Sequence, residues 1–432
     1  MKVLLLVILA ALVHAIRGFA PDHADAAATA LGAGCVLLAG FLAGRVFKDL
    51  GLPRLTGYLT AGIVFGPQVL DVVSAATIGN LAILKGLAVS LLALTAGLEM
   101  HLPTIRPYLR SVGWILVIAI LGTTVVLGLA VIALRDVLPF LDALDTAQLL
   151  AVALALGLCL SSQSPLVVVA IRNEMRADGP VTKTILSVVV FADLVVIVLF
   201  AIATTVAKGT FGEAADAGET AKVLALHVGG SMVAGVVVGF FVSLYLGRVR
   251  GGGPLFVAAV AFVIAEVGNR LHLDPLVVSL AAGIFVRNMS NVTERLHDAL
   301  EAAGFPVYIA FFALAGAGVH LHALVVVGLP ALLFVVLRGI GFYTGTRLAA
   351  RIAQAPPAVA RFASFGLMPQ AGLSLALATL FATNFPFVAK DGVAGADLVF
   401  AIVALNELIA PILFRQALIR SGEAGQLDPP RG

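Results

Sequence analysis

The sequence predicts an all-α polytopic membrane protein of about 13 transmembrane helices. It further predicts two inverted six-helix repeats with two broken, crossing helices. Three observations carry this: too little charge for a water-facing surface, apolar stretches of spanning length throughout, and a chain that resembles itself at a fixed offset.

Of 432 residues, 61% are hydrophobic and 12% charged, with a mean hydropathy of +1.09. A soluble domain carries about 25% charged residues because its surface must face water. One very large buried core does not account for the deficit, since single cores stop growing near ~250–300 residues. A surface facing lipid does. The net charge is +3, with basic residues scattered between apolar runs, so no nucleic-acid partner is expected. Cys35 and Cys159 both lie in apolar segments and offer no disulfide framework.

A bilayer span needs about 20 apolar residues. Such stretches read at 28–49, 54–72, 78–98, 111–134, 147–171, 183–207, 222–247, 253–270, 274–287, 303–321, 324–346, 362–385 and 395–417. No strand-period alternation competes with helix. Lys and Arg between the spans divide 18 to 6, with Arg45, Lys48 and Arg54 on the rich side and Lys85 on the poor one. The positive-inside rule therefore places the C-terminus in the cytoplasm of a cell (inner) membrane protein. Residues 1–20 combine Lys2, the apolar run Val3 to Leu12 and small residues near Ala15. They read as a cleaved signal peptide or, second, as an extra helix. The stretch 421–432 reads as a short cytoplasmic tail with no room for a regulatory domain.

At an offset of 221, seven of fourteen positions agree: Leu50, Leu52, Leu55, Leu59, Ala61, Gly62 and Ile63 match Leu271, Leu273, Leu276, Leu280, Ala282, Gly283 and Ile284. Six helices over 28–207 precede a linker helix at 222–247, and six more follow over 253–417. The odd linker inverts the second set, and inverted repeats place a transport site at their interface near mid-membrane.

An ionisable residue at that depth costs at least ~2.5–3.5 kcal/mol and needs a reason. Asp193, Glu266, Arg338 and Glu407 qualify. Asp193 lies within SVVVFADLVVIVLF, apolar for two turns on either side. A carboxyl there can hold a proton or a metal cation, and competition between the two is an exchange mechanism. Arg338, isolated in FVVLRGIGFY, reads as an ion-pair partner for Asp193, Glu407 or Glu266. Glu266 and Glu407 read as solvated or paired.

Two helices are interrupted. In LGLCLSSQSPLVVVA, Pro165 lacks an amide hydrogen and pushes Ser164 out of helical geometry. Ser161, Ser162, Gln163 and Ser164 there supply side-chain oxygens. The second break, in FGLMPQAGLSLALA, falls at Pro369, Gln370, Ala371 and Gly372. Each lies in the fifth helix of its set, and breaks in corresponding positions of two halves mark a transport site. A simple kink with serines bonded back to the backbone is the plainer alternative. Gly40-x3-Gly44 and Gly235-x3-Gly239 allow close helix packing or a dimer seam. No metal-ligand spacing, phosphate loop or nucleophile elbow occurs, and SSQSP lacks a nearby base. A transporter without cofactors is expected, not an enzyme.

With these residues in view, the chain resembles the cation:proton antiporter superfamily, in particular its sodium/hydrogen exchanger-like and Kef-type bacterial members. The resemblance spans about residues 30–420 and rests on LGLPRLTGYLTAGIVFGP, ALTAGLEMHL, SSQSP, GPVTKTILSVVVFADLVVIVLFAI, LDPLVVSLAAGIF, FFALAGAGVHL and GLMPQAGLSLALA, in that order. It implies an elevator-like antiporter, usually a homodimer, trading protons for Na⁺ or K⁺. It places the family's ion-binding carboxylate on Asp193, polar break groups on Ser161 to Ser164, and a basic residue on Arg338. Many members carry a second acidic or polar residue just before the Asp, where this chain has Ala192. One-for-one exchange is the simplest expectation, with stoichiometry open. Two other readings remain: a sodium-coupled organic-anion symporter of the same fold, and a non-transporting membrane sensor.

Overall fold

The structure, a computed structural model, describes residues 25–211, 217–249, 251–271, 273–319, 321–390 and 392–426. The expected leader at 1–20 and residues 427–432 of the tail lie outside them. Among the described residues the regular structure is helical apart from a pair of two-residue strands, Ala389–Lys390 with Val393–Ala394.

Helix α1 (Asp25–Asp49) leads to α2 (Arg54–Phe65) and α3 (Ala82–Glu99). The expected span 54–72 ends early, because Pro67 holds Gly66 in extended geometry (φ −73°, ψ 176°). Helix α4 (Leu102–Ala133) includes a π-helical stretch at Ile115–Leu121. The next expected span is a pair, α5 (Thr146–Ser161) and α6 (Pro165–Met175). Asp145 and Gln148 close the start of α5 as a capping box, each side chain accepting the other's backbone N–H. Then come α7 (Pro180–Thr210), α8 (Ala217–Arg248), α9 (Gly253–Leu271) and α10 (Pro275–Met289).

Helix α11 (Thr293–Ala317) begins ten residues before its expected apolar stretch at 303–321, because a polar first turn with Glu294 and Arg295 extends it. Helix α12 (Leu321–Ala353) kinks at Val327 (φ −121°, ψ 23°), just before Pro330. A second pair, α13 (Pro357–Gly366) and α14 (Gly372–Asn384), precedes α15 (Gly395–Arg420). Eight helical segments of the described chain are long and apolar enough to cross a membrane, and α9, α10 and α14 are shorter apolar helices.

A large apolar core joins α4 to α7 with α12 to α15, while a second cluster joins α3 to α8, α9, α10 and α11. Two close backbone crossings tie α3 to α10 and α2 to α11. An added Cβ on Gly97 of α3 would lie 2.3 Å from the Leu280 carbonyl oxygen of α10. One on Gly62 of α2 would lie 1.8 Å from that of Ala313 of α11. Only glycine permits either approach. The two glycine stripes also pack within the chain: Gly40 faces Ile309, Gly44 faces Tyr58, and Gly235 and Gly239 face α10.

Candidate ion-exchange site

The first break follows from its sequence. Ser162 turns extended (φ −62°, ψ 152°) after α5, and Ser164 (φ −127°, ψ 104°) precedes Pro165. Ser164 then caps α6, its hydroxyl accepting the Val167 N–H at 3.3 Å. Ser161, Ser162, Gln163 and Ser164 are all buried. The Ser161 hydroxyl meets that of Thr124 at 2.7 Å, and the Gln163 amide donates to the Ser161 carbonyl. Gln163 Oε1 is buried without a partner among the described residues.

The second break lies against the first. Ser162 donates to the Cys159 carbonyl (2.7 Å), so Ser374 of α14 supplies the hydrogen at their 2.7 Å contact. The Gln370 amide donates to the Leu160 carbonyl at 3.2 Å, and Asn406 of α15 donates to Gln370 Oε1 at 2.8 Å. Gln370 therefore joins α5, the second break and α15. Pro369 keeps the chain out of the helix between α13 and α14, and Gly372 opens α14 with open space where a Cβ would stand.

Arg338 corrects the ion-pair expectation. Its guanidinium donates to four backbone carbonyls: Leu160 (2.8 Å), Ser162 (2.8 Å), Met368 (2.6 Å) and Leu367 (3.2 Å). It also sits 4.6 Å from the Phe342 ring centroid. These carbonyls end α5 and α13, where helix dipoles concentrate negative charge without hydrogen-bond partners. One planar cation satisfies both ends at once. None of the three carboxylates considered pairs with it. Glu266 pairs with Arg270 (2.6 Å) on an exposed face, and both Asp193 oxygens lack a partner among the described residues.

Asp193 lies near the middle of α7, which packs along α5. It is 3% exposed. No hydrogen bond links it to Ser161, Ser162, Gln163, Ser164 or Gln370, so the break residues join one another while Asp193 stands apart on the neighbouring helix. The charge whose field reaches it is Asp274, the cap of α10, which accepts the Leu276 N–H at 2.8 Å. A buried carboxylate with two unsatisfied oxygens is what a site for a small cation or a proton requires.

Sequence reasoning missed other groups. Asn406 and Ser374 complete the crossing. Glu407, read from the sequence as solvated or paired, is instead as buried as Asp193, with Oε1 unpartnered among the described residues; the adjacent polar pair Asn406-Glu407 within FAIVALNELIAPILF was its visible signal. In the tail, Glu423 is 5% exposed and accepts Val181 N–H, Thr182 N–H and the Thr182 hydroxyl, each at 2.7 Å. It thereby caps the first turn of α7, the helix that carries Asp193. Nothing in a polar tail signals such a contact.

Charge-assisted bonds of this kind contribute about 1.5–3 kcal/mol each, less when summed. Glu423→Ala is expected to destabilise the detergent-solubilised protein by roughly 2–3 kcal/mol, read as a lower thermal midpoint. Glu423→Gln keeps one acceptor and is expected to lose less. Equal midpoints for wild type and Glu423→Ala would show the cap to be dispensable.

Residues 4–419 match the family described as sodium/hydrogen exchanger, transmembrane. GerT of Bacillus cereus, a probable Na⁺/H⁺ antiporter, is 30% identical over 172 residues, covering 38% of this chain and 41% of that protein. GerN of the same organism, a Na⁺/H⁺–K⁺ antiporter, is 26% identical over 289 residues, or 64% and 68%. The chain thus spans under half of the first relative and about two thirds of the second. The sodium proton antiporter MjNhaP1 from Methanocaldococcus jannaschii at pH 8 superposes with a TM-score of 0.64 at 14% identity, covering 93% of this chain and 98% of that one. An electron-microscopy structure of MjNhaP1 gives 0.68 at 16% identity, covering 91% and 95%. At those identities the likeness establishes the fold. With a match that runs over nearly its whole length on this fold, the chain belongs to the sodium/hydrogen exchanger family, a family of transporters and not enzymes.

Proposed function

We propose that this protein exchanges a monovalent cation, Na⁺ or K⁺, for protons by alternating access, and that Asp193 is the group for which the two compete. The observation that carries it is a carboxyl buried near the middle of the spanning-length helix α7, with neither oxygen partnered among the described residues. A structural carboxylate in that setting would be paired, because leaving it bare costs several kcal/mol.

The crossing supplies the rest. The C-terminal ends of α5 and α13 are answered by Arg338. The N-terminal ends of α6 and α14 carry positive dipole charge, which the Asp193 carboxylate offsets when ionised. Hydroxyls and carbonyls at Ser161 to Ser164 suit both Na⁺ and K⁺ as oxygen donors. The paired crossings of α3 with α10 and of α2 with α11 support the inverted-repeat reading, since an offset of 221 carries Gly62 onto Gly283. The same family reading includes a homodimer in the inner membrane with a cytoplasmic C-terminus. The relatives' names, antiporters of Na⁺ and in one case K⁺, favour exchange over the symporter and sensor readings.

Flux in proteoliposomes tests it, with Na⁺, K⁺ and Li⁺ compared across a pH range. An imposed pH gradient is expected to collapse on adding Na⁺ or K⁺ but not choline. Solute uptake indifferent to pH would point to the symporter, and no flux with any cation would contradict transport.

A further inference from the structure

Asp193 has a counterpart. Glu407 lies near the middle of the 26-residue α15, as Asp193 lies near the middle of the 31-residue α7. Each helix directly follows a broken one: α7 follows α5 and α6, and α15 follows α13 and α14. Both carboxyls are 3% exposed. Glu407 Oε1, like the Asp193 oxygens, has no hydrogen-bond partner among the described residues.

Its surroundings do not use it as a brace. The preceding residue, Asn406, fixes this turn of α15 to Gln370 at the crossing, and Glu407 projects about 100° around the helix from it. Of the helices against α15, α5 and α14 carry no charged residue. Arg338 of α12 is committed to carbonyls. On α6, Arg172 pairs with Glu99 and Glu174 accepts the Arg54 N–H of α2 at 2.7 Å. Arg361 of α13 lies 5.8 Å from the Phe362 ring. The cation whose field reaches Glu407 is Lys85 of α3, and the two form no ion pair at contact distance. Burying a carboxyl in this way costs free energy that an apolar packing residue would not.

We propose that Glu407 carries a second proton through the exchange cycle, so that one cation is traded for two protons; this rests on the exchange reading of Asp193. On one side of the membrane, Asp193 and Glu407 each release a proton to water and the cation takes its place at Asp193. On the other side the cation leaves and each carboxyl takes up a proton. Only the two carboxyl O–H bonds break and reform, and one net positive charge crosses per cycle. The second acid absent at Ala192 is thus supplied from the other half of the chain.

The test is the null point of exchange in proteoliposomes holding the full chain, with voltage clamped at zero and a pH difference of one unit. The Na⁺ ratio, or the K⁺ ratio if K⁺ drives proton movement, is varied until net flux vanishes. Two protons per cation place the null near a ratio of about a hundredfold, and one proton near about tenfold. Wild type and Glu407→Asp are expected near a hundredfold, and Glu407→Gln near tenfold with exchange retained. A wild-type null near tenfold would overturn the proposal without any variant, while leaving exchange at Asp193 intact. So would a Glu407→Gln null equal to the wild type's, whatever its rate. No proton-coupled cation flux in wild type would overturn the exchange reading, and this one with it.

Discussion

Asp193→Asn is expected to reduce proton-coupled cation flux to the background of protein-free liposomes, a loss of at least about a hundredfold. Asn fills the same volume but can neither ionise nor release a proton, so cation binding and proton release are lost together. The fold is expected to tolerate it. No described residue donates a hydrogen bond to either Asp193 oxygen, so the substitution strands no donor and removes a buried carboxyl that no side chain pairs. Thermal stability should stay within about 1 kcal/mol of wild type or rise. Inactivity without destabilisation separates a transport group from a structural one. Persistent full exchange in Asp193→Asn would sink the assignment.

Arg338→Met is expected to do the reverse, losing stability before any question of transport arises. Three carbonyls at the ends of α5 and α13, those of Ser162, Leu367 and Met368, would be left buried without a donor, and that of Leu160 would keep only the Gln370 amide. Each unsatisfied group costs about 1–3 kcal/mol, and although the costs do not add fully, a loss of at least ~3–5 kcal/mol is expected. Little protein should be recovered from membranes, and what is recovered should melt early in detergent. Arg338→Lys keeps the charge and three donors but loses the planar fork that reaches both helix ends, so an intermediate midpoint is expected. A wild-type melting curve for Arg338→Met would show that water or backbone rearrangement serves those carbonyls equally well.

These two residues also mark how far the sequence could be read. The burial of Asp193 was legible because a lone acid in a long apolar run can be recognised without its neighbours. The two breaks were legible because Pro165 and Pro369 act on the backbone locally. The position of Arg338 was equally plain, but its partners were not. Backbone carbonyls exist at every residue, so nothing in a sequence distinguishes the four to which Arg338 donates.

Hydropathy located the helices from 28 to 417 for the same local reason, and it erred where apolar length and helix length differ. Gly66-Pro67 cuts α2 short within an apolar run. Helix α11 continues through the polar segment that begins at Thr293, which a hydropathy window does not register. Glu407 was visible but read as ordinary, since its burial depends on elements distant in the chain. Glu423 was beyond reach altogether: its contact with Val181 joins residues 242 apart in sequence.

If cation and proton compete for the Asp193 carboxyl, binding one must displace the other. Proton release on cation binding measures this directly, by titrating Na⁺ or K⁺ into the detergent-solubilised protein in weakly buffered solution with a pH indicator. Wild type is predicted to release protons saturably as the cation binds, and Asp193→Asn is predicted to release none. Cation binding to wild type without proton release, or equal release from Asp193→Asn, would contradict it.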